Sequence, residues 1–322
     1  MRKQLENKLI MLAPLAGITD VAFRLICEKY GADKTFTEMV SVNALYYKNK
    51  KTDDLLYIAD AEKNCNIQLF GHDPEIIEKV IKEKINPIEK VKEISFNMGC
   101  PVKKITQNGE GSALMANPSL VRDICRSLVK ATDKKVNIKF RLGINEDKKN
   151  YLQIGKIAQD EGIDYVIMHA RYKEQMYSGK ASWDEIRILK ENLSIPVIAN
   201  GDIFSVEDFL QVINISKADG VMLARGAMGN PFLFKQIKDY IKYGKYDKIS
   251  PRQIIDQLIG HYKLAMEFKE EKLVVSQMRK HLSCYIKGLK NSARIREKIN
   301  TLNNINEVMD VLEEYKSTLE GW

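Results

Sequence analysis

Runs of apolar and β-branched residues, each bounded by polar or glycine-containing segments, recur eight times between residues 9 and 225. They are LIMLAP from Leu9, TFTEMV from Thr35, NCNIQLF from Asn64, EISFNM from Glu93, VNIKFR from Val136, DYVIMHA from Asp164, IPVIAN from Ile195 and GVMLAR from Gly220. Short runs of this kind read as strands. Most begin 25 to 31 residues apart, but the fourth and fifth are separated by 43. Between them, apolar residues three or four apart predict helices over 19–29, 74–84, 118–130, 151–161, 183–191 and 205–215, with 42–54 the least clear. Eight strands alternating with helices predict a (β/α)8 TIM barrel over residues 1–244. A doubly wound sheet is disfavoured by the count of eight and by the lack of a GxGxxG turn after the first strand.

The alternation stops near residue 245. Beyond it, PRQIIDQLIGHYKLAMEF, KLVVSQMRKHLSCYIKGL and ARIREKINTLNNINEVMDVLEEYKSTL keep helical periodicity and predict an all-helical domain over 245–322. Its charge is uneven: residues 279–298 hold seven Lys/Arg against one acid, Glu297. The whole chain carries 51 Lys/Arg and 43 Asp/Glu, a formal net charge of +8. A patch this dense fits a polyanion-binding face, with a solvated helix face as the plain alternative.

Composition narrows the class. With 44% hydrophobic and 29% charged residues, the chain has the proportions of a folded globular protein. No apolar run approaches the ~20 residues of a membrane helix, so no membrane association is expected. The start, MRKQLENKLIMLAPLAG, lacks a secretory h-region and cleavage site, so a cytoplasmic location is expected. Five widely spaced cysteines (27, 65, 100, 125 and 284) fit reduced thiols. Without CxxC or HExxH, no metal site is expected.

Barrel chemistry gathers at the carboxyl ends of the strands. Those ends read Pro14–Ala16, Glu38, Gln68, Asn97, Lys139, His169, Asn200 and Arg225. In strand five, alternation sends Val136, Ile138 and Phe140 toward the helices and leaves Asn137, Lys139 and Arg141 inside. Strand six likewise puts Tyr165, Ile167, His169 and Arg171 on one face. A lysine inside a barrel needs an anionic or electron-rich partner, either Glu38 or a ligand. NGDI (200–203) and ARGAMGNP (224–231) suit a phosphate, because small residues admit close backbone approach. Four cysteines fall within packing positions. Cys100 alone follows a strand end directly, in NMGCP, where a thiol of ordinary pKa (~8.5) can serve as acid or nucleophile. The long interval beyond it holds Gly109 and Gly111.

Taken in order, APLAGITD (13–20), QLFGHDP (68–74), NMGCPVKKI (97–105), KFRLG (139–143), HAR (169–171), NGDI, ARGAMGNP and the tail RKHLSCYIKG (279–288) resemble the tRNA-dihydrouridine synthases, in particular the bacterial B-type group. That resemblance implies an FMN-binding barrel with a helical RNA-binding domain. It implies a flavin ring near Pro14, Leu15 and Ala16, with Gln68 and Lys139 at its polar edge and His169 beside it. Asn200, Gly201, Asp202, Ala224, Arg225 and Gly226 would form the phosphate end; many relatives have glycine where Ala224 stands. The implied reaction is reduction of uridine in tRNA, with hydride from reduced FMN to C6, a proton from Cys100 to C5, and NADPH as reductant. The uridine must leave its stack to reach the mouth. RNA contacts are expected from Asn97, Lys103, Lys104, Arg141, Arg171, Arg279, Lys280 and Lys287. A barrel flavoprotein acting on free pyrimidines and a catalytically silent RNA binder are the competing readings.

Overall fold

The computed structural model describes residues 2–319. Eight strands form one parallel sheet: β1 (Leu9–Leu12), β2 (Thr35–Ser41), β3 (Cys65–Phe70), β4 (Glu93–Met98), β5 (Lys135–Arg141), β6 (Tyr165–His169), β7 (Val197–Asn200) and β8 (Gly220–Leu223). Their order is β1-β8-β7-β6-β5-β4-β3-β2. The ring closes beside β2, where Met11 bridges to Lys34 and Leu12 N–H donates to Lys34 O at 2.9 Å. The predicted (β/α)8 barrel is therefore the observed fold.

Helices follow the strands: α1 (Val21–Lys29), α2 (Val42–Tyr46), α3 (Lys50–Asp53), α4 (Pro74–Val80), α5 (Lys103–Thr106), α6 (Pro118–Ala131), α7 (Tyr151–Asp160), α8 (Trp183–Asn192), α9 (Val206–Ser216) and α10 (Phe232–Tyr243). Several starts are written in the sequence. Asp20, Asp73, Asn117 and Ser205 each accept a first-turn backbone N–H, and Pro74 and Pro118 occupy first helical positions. The unclear stretch 42–54 becomes two short helices and a 3-10 turn. Among the described residues, no helix is long and apolar enough to cross a membrane.

The barrel interior is layered. At the amino-terminal end Tyr165 Oη donates to Glu93 at 2.7 Å and accepts from Asn137 at 3.0 Å, while Lys34 pairs with the same carboxylate. Met11, Phe36, Ile167, Ile198 and Met222 fill the middle. Polar side chains at the carboxyl ends are thereby set above an apolar plug.

The tail folds as α11 (Pro251–Met266), α12 (Glu271–Tyr285), α13 (Ser292–Thr301) and α14 (Ile305–Ser317) around its own apolar cluster, which Ala22 of α1 joins. Ser250 and Gln253 start α11 with a reciprocal capping box. Phe23 of α1 packs between His261 and His281, with ring centroids 5.7 and 5.2 Å away. Burial holds both imidazoles neutral, pulling His281 down to about 4. Asp20 and the two histidines bring three potential ligand atoms within 4.8 Å of one another, and Lys269 donates to the same carboxylate at 2.6 Å.

The closest approach in this seam is at Gly229, at φ +71°, where an added Cβ would overlap the Cys284 carbonyl and the Tyr285 nitrogen. Gly229→Ala is expected to cost about 2 kcal/mol through strain and overlap. The check is the urea midpoint; a midpoint equal to the parent's would mean that the loop after β8 and α12 are not held in contact.

Candidate active site at the barrel mouth

Parallel register brings the mouth residues into adjacent positions. Asn97 pairs with Lys139, Arg141 with His169, His169 with Asn200, and Asn200 with Met222. Neighbouring strands lie ~4.8 Å apart, so these side chains form one continuous arc. With the loops after β1, β4, β6, β7 and β8 they enclose a cavity of about 390 Å³. Its lining mixes apolar side chains, among them Leu15, Met39, Met222 and Met228, with the polar groups of Asn97, Lys139, Arg141, His169, Asn200 and Arg225.

Most of the residues singled out from sequence meet here. Pro14, Leu15, Ala16, Asn97, Cys100, Lys139, Arg141, His169, Asn200, Gly201, Asp202, Ala224, Arg225 and Gly226 line the cavity. Gln68 and Arg171 are buried outside the lining. Gln68 accepts from Asn97 Nδ2 at 2.8 Å and donates to Ser95 Oγ at 3.0 Å. Lys103 and Lys104 are exposed on α5. Lys280 and Lys287 are exposed at the tail, whereas Arg279 is half-buried and donates to Leu302 O at 3.0 Å. Lys280 reaches the mouth: a Cβ on Gly17, in the loop after β1, would lie 2.7 Å from its Nζ.

Cys100 is held by its surroundings. Asn97 Oδ1 accepts from Gly99 N–H at 3.0 Å and Cys100 N–H at 2.9 Å, so this amide ties the loop to the end of β4. Arg141 Nε donates to Gly99 O at 2.7 Å, and its Nη1 donates to Tyr172 O and Met176 O, each at 2.9 Å. Ser112 returns to donate its N–H and its hydroxyl to Cys100 O, at 3.0 and 2.9 Å. Burial pushes the Cys100 thiol up, with the Val102 backbone, Arg141 and Lys139 pulling against it. The sulfur therefore rests protonated at neutral pH.

Positive charge dominates the mouth. Asp202 is shared: Arg171 Nη2 lies 2.6 Å from one oxygen and Arg225 Nη2 3.1 Å from the other. Arg171 also donates to Ser178 O and Gly179 O, so its guanidinium is engaged inside the protein. No described residue offers Lys139 a hydrogen bond or ion pair. Glu38, its candidate partner, instead accepts from Gly17 N–H at 2.5 Å. Burial, then Arg141, brings the Lys139 amine down to about 7. Burial, then Lys139 and the arginines, holds His169 neutral.

Two rim residues escaped the sequence reading. Tyr177 (49% exposed) and Phe204 (48%) line the cavity, and the Arg225 guanidinium lies 5.3 and 5.6 Å from their ring centres. Their loops have no periodicity; Phe204's position directly after NGDI was the available signal.

Residues 11–320 match the family described as Dihydrouridine synthase (Dus). The chain belongs to the dihydrouridine synthase family. It is 35% identical over 313 residues to tRNA-dihydrouridine synthase B of Vibrio parahaemolyticus, covering 97% of this chain and 96% of that protein. It is 36% identical over 315 residues to the protein of the same name from Shewanella oneidensis, again covering 97% and 96%. The old yellow enzyme homologue of Zymomonas mobilis is similar in fold, with a TM-score of 0.50 at 11% identity over 76% of this chain and 90% of that one. The synthase family's reaction is reduction of uridine to dihydrouridine, and this chain is an oxidoreductase of that family.

In the flavin-free synthase, acetylation of Lys139 should rise as pH rises through about 7, because the free amine is the nucleophile and the ammonium is inert. Peptide mass spectrometry across pH 5–11 checks this; a midpoint near the ordinary lysine value (~10.4) would mean that the amine is not depressed.

Proposed function

We propose that this chain reduces uridine to 5,6-dihydrouridine in tRNA, using FMN and NADPH, with residues 1–244 as the catalytic barrel and 245–322 as the RNA-binding domain. The observation that carries this reading is a protonated thiol, Cys100, facing the same cavity as an unpaired lysine, Lys139. Family membership supplies the reaction, and the cavity supplies groups suited to it.

The donor set fits FMN. An apolar lining suits a flat ring, and an unpaired ammonium suits its electron-rich edge. The turns where the phosphate is expected pack tightly against the protein and require glycine: a Cβ at Gly226 would overlap Ile203 O, and one at Gly201 would lie 2.9 Å from Ala181 Cβ. Arg225 adds a fixed cation there. Pro14, Leu15, Ala16, Lys139 and His169 would hold the ring, and Asn200, Gly201, Ala224, Arg225 and Gly226 the phosphate. Asp202, engaged by two arginines, would act by fixing Arg225. When bound and reduced, FMN supplies hydride chemistry at uracil C6.

The chain's own part is acid catalysis and positioning. Cys100 gives its proton to C5, saturating the double bond, and the thiolate left behind sits beside Arg141 and Lys139. Arg141 and Asn97 hold the loop that aims the sulfur, so their part is internal rather than direct RNA contact; Arg171 likewise anchors Asp202. Tyr177 and Phe204 offer ring faces to unstacked bases. Lys103, Lys104, Lys280 and Lys287 lie free for phosphates, while Arg279 braces α12 against Leu302. Five free thiols fit a reducing cytoplasm.

Unmodified tRNA incubated with the protein, FMN and NADPH should yield dihydrouridine by nucleoside mass spectrometry, and free uridine should not. Reduction of free uridine, with tRNA unchanged, would replace the tRNA reading with a free-pyrimidine one. Cys100→Ala should retain flavin and lose about 10²–10⁴-fold in rate; full turnover in that variant would remove Cys100 as the donor.

Replacing Lys280 and Lys287 together by glutamine should weaken tRNA binding and flatten its dependence on salt by about two phosphate contacts. Flavin content is the control. An unchanged salt slope would exclude this face from the RNA interface.

A further inference from the structure

The loop that carries Cys100 has a second anchorage outside the cavity. Glu110 lies ten residues beyond the thiol, between Gly109 and Gly111 at φ +74° and +59°. It is only 4% exposed. Its carboxylate faces His72 Nδ1 at 3.6 Å and Asn43 Nδ2 at 3.5 Å. Neither His72 Nδ1 nor Asn43 Oδ1 has a hydrogen bond of its own. His72 follows β3, and Asn43 stands in the first turn of α2, so the ends of β2 and β3 meet the loop after β4 at this carboxylate.

A buried carboxylate without a partner is costly, and burial pushes Glu110 up while the His72 ring pulls it back. The His72 distance is longer than a good hydrogen bond, and the Asn43 amide sits at the outer limit of one. The carboxylate is coupled to the thiol over a short path. A Cβ on Gly111 would lie 2.7 Å from Cys100 O and 3.3 Å from Cys100 Cβ, so the loop lies directly against the cysteine. The next residue, Ser112, donates twice to that same oxygen. A shift of Glu110 is therefore passed to Cys100 through two residues.

We infer that His72 and Glu110 clamp the Cys100 loop to the end of β3 and thereby fix the position of the thiol. Both are positioning residues, since neither lines the cavity. The inference rests on the reading of Cys100 as proton donor, but the clamp itself can be tested without that reaction.

The variants are Glu110→Gln, His72→Asn and the double replacement, each in the full chain. The first readout is the iodoacetamide alkylation rate of Cys100 by peptide mass spectrometry, with half-buried Cys284 as internal reference. Each single variant should speed Cys100 alkylation several-fold, leave Cys284 unchanged, and gain nothing further in the double, because partners in one contact are not additive. His72→Lys, which places an ammonium opposite Glu110, should restore the parent rate. The second readout separates flavin reduction by NADPH, expected unchanged, from dihydrouridine formation by prereduced enzyme, expected to slow several-fold. Parent-like Cys100 rates in both single variants, additive effects in the double, or equal acceleration at Cys284 would each overturn the clamp. If the parent makes no dihydrouridine, the alkylation rates still decide the clamp, and only the proton-donor reading fails.

Discussion

Lys139 brings a cation into a barrel whose nearby anions and carbonyls are already engaged. Asp202, the carboxylate among the cavity-lining residues, is held by Arg171 and Arg225. Glu38 binds a backbone N–H of the loop after β1. Gly99, Tyr172 and Met176 give their carbonyls to Arg141. Because an isolated buried charge is expensive, the lysine responds by losing affinity for its proton, and so does His169. A site in this condition is completed by an electron-rich or anionic occupant.

Much of this was legible in the sequence, for a definite reason. A parallel barrel strand places alternate side chains inside and outside, so Asn137, Lys139 and Arg141 were assigned inward from spacing alone. Register then places Lys139 beside Asn97 and His169 beside Asn200. The use made of the arginines was not legible. Arg141 and Arg171 read as hands extended to a ligand, yet they bind carbonyls at 99 and 172–179 and, for Arg171, the Asp202 carboxylate, all supplied by loops with no periodicity. Tyr177 and Glu110 were missed for the same reason. Residues 42–54 were unclear because two short helices cannot repeat a helical period long enough to register.

Several individual contacts join the tail to the barrel. Ala22 enters the tail's core, Phe23 lies between two neutral histidines, and Lys269 neutralises the capping carboxylate of α1. Gly229 lets the loop after β8 touch the backbone of α12. That loop also carries Arg225 at the cavity, so one turn both lines the mouth and fixes the helix bearing Lys280. Lys280 extends from that helix to Gly17, in the loop after β1, and so brings one tail ammonium to the edge of the barrel.

The thiol and the lysine share a field but respond to burial in opposite senses. Burial keeps the proton on Cys100 and takes it from Lys139, since each then rests neutral. Their mutual interaction runs the other way: a thiolate favours the ammonium, and the ammonium favours the thiolate. At rest the thiol holds its proton, as an acid should. In the proposed reaction, loss of that proton would leave a thiolate in the field of Arg141 and Lys139, where burial strengthens attraction and leaves little water to screen it. The same low polarity that makes Cys100 a reluctant acid would therefore strengthen the attraction between its thiolate and the Arg141 and Lys139 side chains, provided the loop holds the sulfur in their field.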